Sequence, residues 1–127
     1  MTETTWPHFS RKELECQCLC GQSEMNPAFM EKLELLRTEF DKPMQVTSAF
    51  RCPNHNVQAS STGFIGPHTS GKAVDIKVSG PDTHRLLTLA MAHGFTGIGI
   101  KQNGPYSGRF IHLDTVSGRT RPRVWTY

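Results

Sequence analysis

The sequence lacks several features that mark particular classes of protein. It has no run of roughly 18 apolar residues, so we expect no membrane span. Its first residues, MTETTWPHFSRKEL, show no basic start followed by an apolar stretch, so we expect no secretory signal and a cytoplasmic protein. Repeats and low-complexity segments are missing too. With 127 residues, 36% of them hydrophobic, the chain is predicted to form a single domain, residues 1–127.

A strong charge of one sign is also missing. The formal net charge is +3, from 14 Lys and Arg against 11 Asp and Glu. A weakly basic surface suits an anionic partner, but an ordinary solvated surface explains the same balance. We expect neither nucleic acid nor a membrane as a partner. We also expect a monomer.

Apolar periodicity and capping residues predict the helices. Asn26 as N-cap and Pro27 at the first helical position predict a helix that continues to about residue 40. A second helix is predicted from Gly80-Pro81 to about residue 93. Its positions expected to face the core are Leu86, Leu87, Leu89, Ala90 and Met91. A short helical turn precedes both, with Ser10 as N-cap and Glu13 completing a capping box.

Short segments bounded by turn residues predict the strands, which are 44–48, 73–78, 97–101, 109–114 and 123–126. Residues 50–69 are rich in Ser, Asn, Gly and Pro and are predicted to form a long polar loop, which in a compact domain is usually functional or disordered. Helices gathered around a small, mainly antiparallel sheet predict an α+β fold.

Asp75 and His112 are predicted to face one cleft. In the predicted strand 73–78 apolar residues alternate with Asp75, which therefore lies on the face opposite to the core. The small side chain of Ala73 beside it leaves room for an ion. In the predicted strand 109–114 the same alternation places His112 on the equivalent face.

His68 is the third candidate metal ligand. It precedes Asp75 by seven residues, across Gly71. Because glycine permits a tight turn, the segment that carries His68 can fold back over the strand. Two histidines and one carboxylate, with a fourth position left for water, are how a catalytic zinc site is built.

Three segments resemble the zinc D-alanyl-D-alanine carboxypeptidases and related phage cell-wall peptidases. They are SAFR at 48–51, HTSGKAVDI at 68–76 and FIHLD at 110–114. The family signature is S-x-x-R, then H-x-x-G-x-A-x-D, then a late His that is often followed by Asp two residues on. The resemblance covers residues 9–127 and implies the small α+β zinc-peptidase fold shared with the signalling domain of hedgehog proteins.

The resemblance also implies a cofactor and residue roles. It implies zinc, with His68, Asp75 and His112 as its ligands. It implies that Arg51 holds the substrate carbonyl or the oxyanion that develops on it, with Ser48 in the same substrate-binding motif. The chemistry of arginine agrees with this role for Arg51, because the guanidinium presents a planar fork of N–H donors that suits a carboxylate or an oxyanion.

The general base is where the sequence departs from the family. Better-known members place Asp or Glu three residues before the last ligand His. Here that position is Arg109, which cannot accept a proton at neutral pH. Asp114 shares the cleft face with His112 and is the candidate catalytic carboxylate. Its alternative role is to orient His112.

The cysteines leave three interpretations open. Cys16, Cys18 and Cys20 alternate in an extended segment, and Cys52 follows Arg51. Plain buried thiols, a disulfide to Cys52 and a structural metal bound by all four are each compatible with this spacing. We expect at least one of the first three to lie close to Cys52, since a long polar loop needs an anchor.

Together these features predict a zinc peptidase that hydrolyses a D-amino-acid peptide bond of the peptidoglycan stem peptide, as a carboxypeptidase or an endopeptidase. With no signal sequence, it would reach the cell wall after release or export by other proteins. The alternative is a non-catalytic, zinc-stabilised module that binds cell wall or protein. The missing acid at Arg109 keeps this alternative open.

Overall fold

The computed structural model describes residues 6–18, 20–59, 66–118 and 120–127. Its helices are α1 (Arg11–Leu14), α2 (Pro27–Phe40), α3 (Pro53–Ala59) and α4 (Pro81–Ala92). Its strands are β1 (Gln45–Ser48), β2 (Ala73–Lys77), β3 (Gly97–Lys101), β4 (Phe110–Asp114) and β5 (Arg123–Thr126). The fold is α+β, as predicted. Among the described residues, no helix is long and apolar enough to cross a membrane.

The five strands form one sheet in the order β1-β2-β4-β3-β5. Neighbouring strands are antiparallel, except that β3 and β5 run parallel. The register pairs Asp75 with His112, His112 with Gly99, and Gly99 with Trp125. Because cross-strand partners point to the same face, these four residues form one row across the sheet.

The main core lies between the opposite face of this sheet and helices α2 and α4. The predicted caps of α2 are present: the Asn26 side chain accepts a hydrogen bond from the backbone N–H of Phe29, and Pro27 opens the helix. These caps set where α2 begins. The buried apolar stripe of this helix consists of Phe29, Met30, Leu33, Leu36 and Phe40. Fully burying such a side chain contributes about 1.5–3 kcal/mol, so this face holds the sheet in place.

Two sequence predictions are wrong in detail. Residues 53–59 form helix α3 instead of a loop, with the Asn56 N–H bonded to the carbonyl of Cys52. This helix is polar and short, so it carries no apolar periodicity to detect; residues 60–65 of the predicted loop lie outside the described residues. Met91 is 59% exposed, because Leu86 and Ala90, four residues apart, define the buried face of α4.

Candidate metal centre

The structure brings the three predicted metal ligands together. His112 Nδ1 lies 3.0 Å and His68 Nε2 lies 3.4 Å from the same oxygen, Oδ1 of Asp75. Two donors that are each about 2.1 Å from a tetrahedral zinc ion lie roughly 3.4 Å apart. All three residues are buried, and the donor types and spacing fit zinc.

His68 is positioned by a turn that only glycine fits. Gly71 has φ +71°, and a Cβ there would collide with the Glu24 carbonyl oxygen and lie 2.9 Å from the Asn26 nitrogen. The Nδ1–H of His68 donates a hydrogen bond of 2.6 Å to the carbonyl of Ala49 at the end of β1. This bond fixes the tautomer and leaves Nε2 free to face Asp75, which is how a ligand histidine is oriented for a metal.

His112 is oriented in the same way by a carboxylate. Its Nε2 lies 2.8 Å from Oδ2 of Asp114, so the N–H donates there and Nδ1 faces Asp75. Asp114 has no exposed surface and accepts three further hydrogen bonds, two from Arg121 and one from the Val116 N–H. Each candidate ligand histidine therefore has one ring nitrogen held by an acceptor and the other directed at Asp75.

The electrostatics of the site follow from this arrangement. Burial alone raises the pKa of Asp75, but hydrogen bonds from His112 and His68 hold it below its ordinary value. For Asp114, burial again opposes the shift, and the bonds from His112 and Arg121 lower the pKa to about 2. Burial lowers the pKa of His112, but its contacts with Asp114 and Asp75 raise it overall. Both carboxylates are thus ionised at neutral pH.

Two glycines of β3 make room for the groups around His112. A Cβ at Gly97 would collide with the carboxylate of Asp114, and one at Gly99 would lie 2.6 Å from Nε1 of Trp125. The indole of Trp125 reaches across Gly99 to His112, with 5.2 Å between ring centroids. Strand β3 therefore leaves space that its neighbours fill.

The comparison with protein families agrees with this geometry. Residues 7–114, most of the chain, match the sequence profile of a family described as Peptidase M15. The chain belongs to the peptidase M15 family. Members of this family are zinc-dependent metallopeptidases, which fits the His68, Asp75 and His112 donor set. The comparison with curated proteins finds no match.

Arg51 lies at the edge of the candidate metal centre of this M15 chain. Its Nη2 is 3.7 Å from Oδ2 of Asp75, and its Nη1 donates to Oδ1 of Asn56 at 3.3 Å. Asn56 is itself 99% buried on α3, so the guanidinium is held from behind by a fixed amide. Ser48, the other predicted substrate-binding residue, pairs with Asp75 after a bulge at the end of β1.

Arg109 lies outside the candidate metal centre of this M15 chain. Its Nε donates to the carbonyl of Gly104, and its guanidinium stacks 4.3 Å from the ring centroid of Tyr106. The position where the family resemblance implies an acid therefore holds an arginine that contacts Gly104 and Tyr106 instead.

Sequence reasoning missed four groups that shape the M15 site. They are Asn56 behind Arg51, Arg121 behind Asp114, and Gly99 with Trp125 beside His112. One signal was available: β3 reads Gly-Ile-Gly-Ile, and two glycines on one face of a strand indicate close approach of neighbouring groups.

Proposed function

We propose that this M15 peptidase uses zinc to hydrolyse a peptide bond formed by a D-amino acid in the stem peptide of peptidoglycan. The observation that carries the proposal is the matched orientation of the two ligand histidines. His68 Nε2 and His112 Nδ1 both face Oδ1 of Asp75, and the other nitrogen of each ring is held by a separate acceptor. Such outer partners are what a metal site needs to keep its ligands in place.

His68, Asp75 and His112 would hold the zinc ion. When bound, zinc supplies Lewis acidity towards water and the scissile carbonyl. The protein contributes the fixed imidazole orientations and the burial of the ligands, which keep the donors in place before substrate arrives.

Arg51 binds the negatively charged part of the substrate. Its guanidinium is only 14% exposed and lies against Asp75, so it borders the ligands without being one of them. A planar fork of N–H donors fits the terminal carboxylate of a carboxypeptidase substrate or the oxyanion that develops on the scissile carbonyl. Asn56 restricts the rotation of this fork and so prepares it for binding.

Asp114 acts by orienting His112. A general base must lie about 2.6–3.2 Å from the heavy atom that carries the proton it removes. Asp114 instead contacts the nitrogen of His112 that points away from Asp75, and both of its oxygens also accept from Arg121. The orienting role therefore has more support than the role of base.

The alternative is a non-catalytic zinc-stabilised module that binds cell wall or protein. One observation favours it: among the described residues, the buried carboxylates are Asp75 and Asp114, and both are engaged. A catalytic site then needs a proton acceptor from a less buried position or from the substrate itself.

Turnover separates the two functions. The zinc-loaded protein is incubated with a synthetic stem pentapeptide ending in D-Ala-D-Ala and with purified peptidoglycan, and released D-alanine and new amino groups are quantified. A pentapeptide ending in L-Ala-L-Ala and the His68→Ala variant serve as controls. We expect cleavage of a D-amino-acid bond that requires zinc and His68. Binding to peptidoglycan without cleavage, at full zinc occupancy, would establish the non-catalytic module instead.

A further inference from the structure

A second cluster of metal-ligating side chains lies next to Arg51. Cys16, Cys18 and Cys20 follow α1, and Cys52 immediately precedes α3. The four Sγ atoms all lie within 4.8 Å of one another. Three of these distances are 3.3 Å for Cys16–Cys18, 3.4 Å for Cys18–Cys52 and 3.7 Å for Cys16–Cys52. The expected proximity to Cys52 is therefore confirmed.

These distances favour one of the three interpretations of the cysteines. Four sulfurs that are each about 2.3 Å from a tetrahedral zinc ion lie roughly 3.8 Å apart. A disulfide joins only two sulfurs, at about 2.0 Å, and leaves the other two without a role. Plain burial explains Cys16 and Cys52, which are buried, but it does not explain why the exposed Cys18 and Cys20 converge on them. A shared ion accounts for all four.

The backbone around the cluster is already held in place. The N–H of Cys52 donates to Sγ of Cys16 at 3.3 Å, and such amide contacts stabilise a thiolate ligand. The Cys16 N–H donates to the carbonyl of Gln22, and the Phe50 N–H to that of Leu14. Phe50 also packs against Cys16 and Cys52 from the buried side.

We propose that Cys16, Cys18, Cys20 and Cys52 bind a second, structural zinc ion. Four thiols lose four protons when they coordinate Zn²⁺, and no atom changes its oxidation state. Four sulfur ligands complete the coordination and leave no position for water, so this site is structural. It ties the N-terminal segment to the chain at Cys52, directly after Arg51, and thereby fixes the residue that borders the first metal centre.

Metal content tests this proposal without any activity measurement. The full chain is purified with reductant and zinc, and zinc per chain is measured by elemental mass spectrometry. We expect two zinc ions in the wild type and one in the double variant Cys18→Ser/Cys20→Ser, which changes only the exposed ligands. His68→Ala should also retain one zinc ion. The triple variant His68→Ala/Cys18→Ser/Cys20→Ser should retain none. The matched control Gln22→Ser, an exposed substitution in the same segment, should retain two.

A spectroscopic measurement identifies which site each ion occupies. Cobalt(II) is exchanged for zinc, and the thiolate-to-metal charge-transfer absorption is recorded. This absorption should be present in the wild type and in His68→Ala and absent from Cys18→Ser/Cys20→Ser. Because the absorption is also recorded in His68→Ala, which lacks a ligand of the first site, the result does not depend on whether the first site is catalytic.

Two results would overturn the proposal. One is a wild-type protein that lacks the thiolate absorption and whose four thiols all react with a thiol reagent before any chelator is added. The other is an intact mass that is two hydrogens lower than that of the fully reduced chain, measured after purification in the presence of zinc and without reductant. Such a mass identifies a disulfide. Protection of all four thiols until a chelator is added would support the zinc site.

Discussion

Arg121 donates two hydrogen bonds to the carboxylate of Asp114, from Nε to Oδ1 at 3.0 Å and from Nη2 to Oδ2 at 2.8 Å. Asp114 in turn accepts from Nε2 of His112, whose other nitrogen faces Asp75. A guanidinium outside the candidate ligand set is thus connected to the imidazole of His112 through one buried carboxylate. We expect the geometry of the candidate metal centre to depend on this chain of contacts.

We expect Arg121→Ala to destabilise the protein strongly. The substitution removes two of the four hydrogen bonds that the buried Asp114 carboxylate accepts, leaving those from His112 and the Val116 N–H. Removing one partner of a buried ion pair typically costs about 3–5 kcal/mol. Denaturant unfolding of the zinc-free protein measures this directly.

Arg121 and Arg123 both lie over the ring of Trp125, at 5.1 Å and 5.5 Å from a ring centroid. The matched control is therefore Arg123→Ala, an exposed arginine whose loss should change stability by about 1 kcal/mol or less. Equal stabilities for the two variants would show that the Arg121 pair contributes little.

Asp114→Asn should weaken zinc binding by about 10- to 100-fold, as expected when the group that orients a ligand histidine is changed. Turnover should recover at saturating zinc, because the substituted residue does not take part in proton transfer. Zinc affinity is measured by competition with a chromogenic chelator, and turnover is measured across a zinc titration. Unchanged zinc affinity with a lasting loss of turnover of about 100-fold or more would instead assign Asp114 as the base.

Gly97→Ala should lower zinc affinity although Gly97 is not one of the candidate ligands. The added Cβ would occupy the position of the Asp114 carboxylate, which must then move away from His112. The control is Gly108→Ala, where the added Cβ meets nothing within 4 Å. Zinc titration of both variants is the measurement. If Gly97→Ala binds zinc as tightly as Gly108→Ala, the orientation of His112 does not depend on Asp114.

Arg51→Lys should reduce turnover by about 100- to 1000-fold, the range seen when a donor that stabilises an oxyanion is lost. Lysine keeps the positive charge but cannot reproduce the planar fork. Zinc per chain should stay at the wild-type value, since Arg51 is not a ligand. Arg109→Ala is the control, because that side chain contacts Gly104 and Tyr106 outside the site. Loss of zinc in Arg51→Lys would show that the residue supports the metal centre and not the substrate.

Local patterns were sufficient for much of the fold. The Asn26 cap and the Pro27 start predicted α2 correctly, because capping depends on residues that are close in the chain. Strand alternation likewise placed Asp75 and His112 on one face, and the register confirms that they are cross-strand partners. Helix α3 was missed because its sequence is polar and gives no periodic signal.

Sequence patterns therefore indicated which side chains point away from the core and which residues can bind zinc. Both properties are local, since they depend on strand alternation and on donor chemistry. The sequence also predicted that Cys52 lies near the cysteines that follow α1, and Cys16 is 36 residues away from it. The packing of the elements was needed to show which polar groups hold the site: Arg121 against Asp114 and Asn56 against Arg51, seven and five residues apart. These contacts depend on how separate elements pack and on the parallel pairing of β5 with β3, and neither leaves a pattern along the chain.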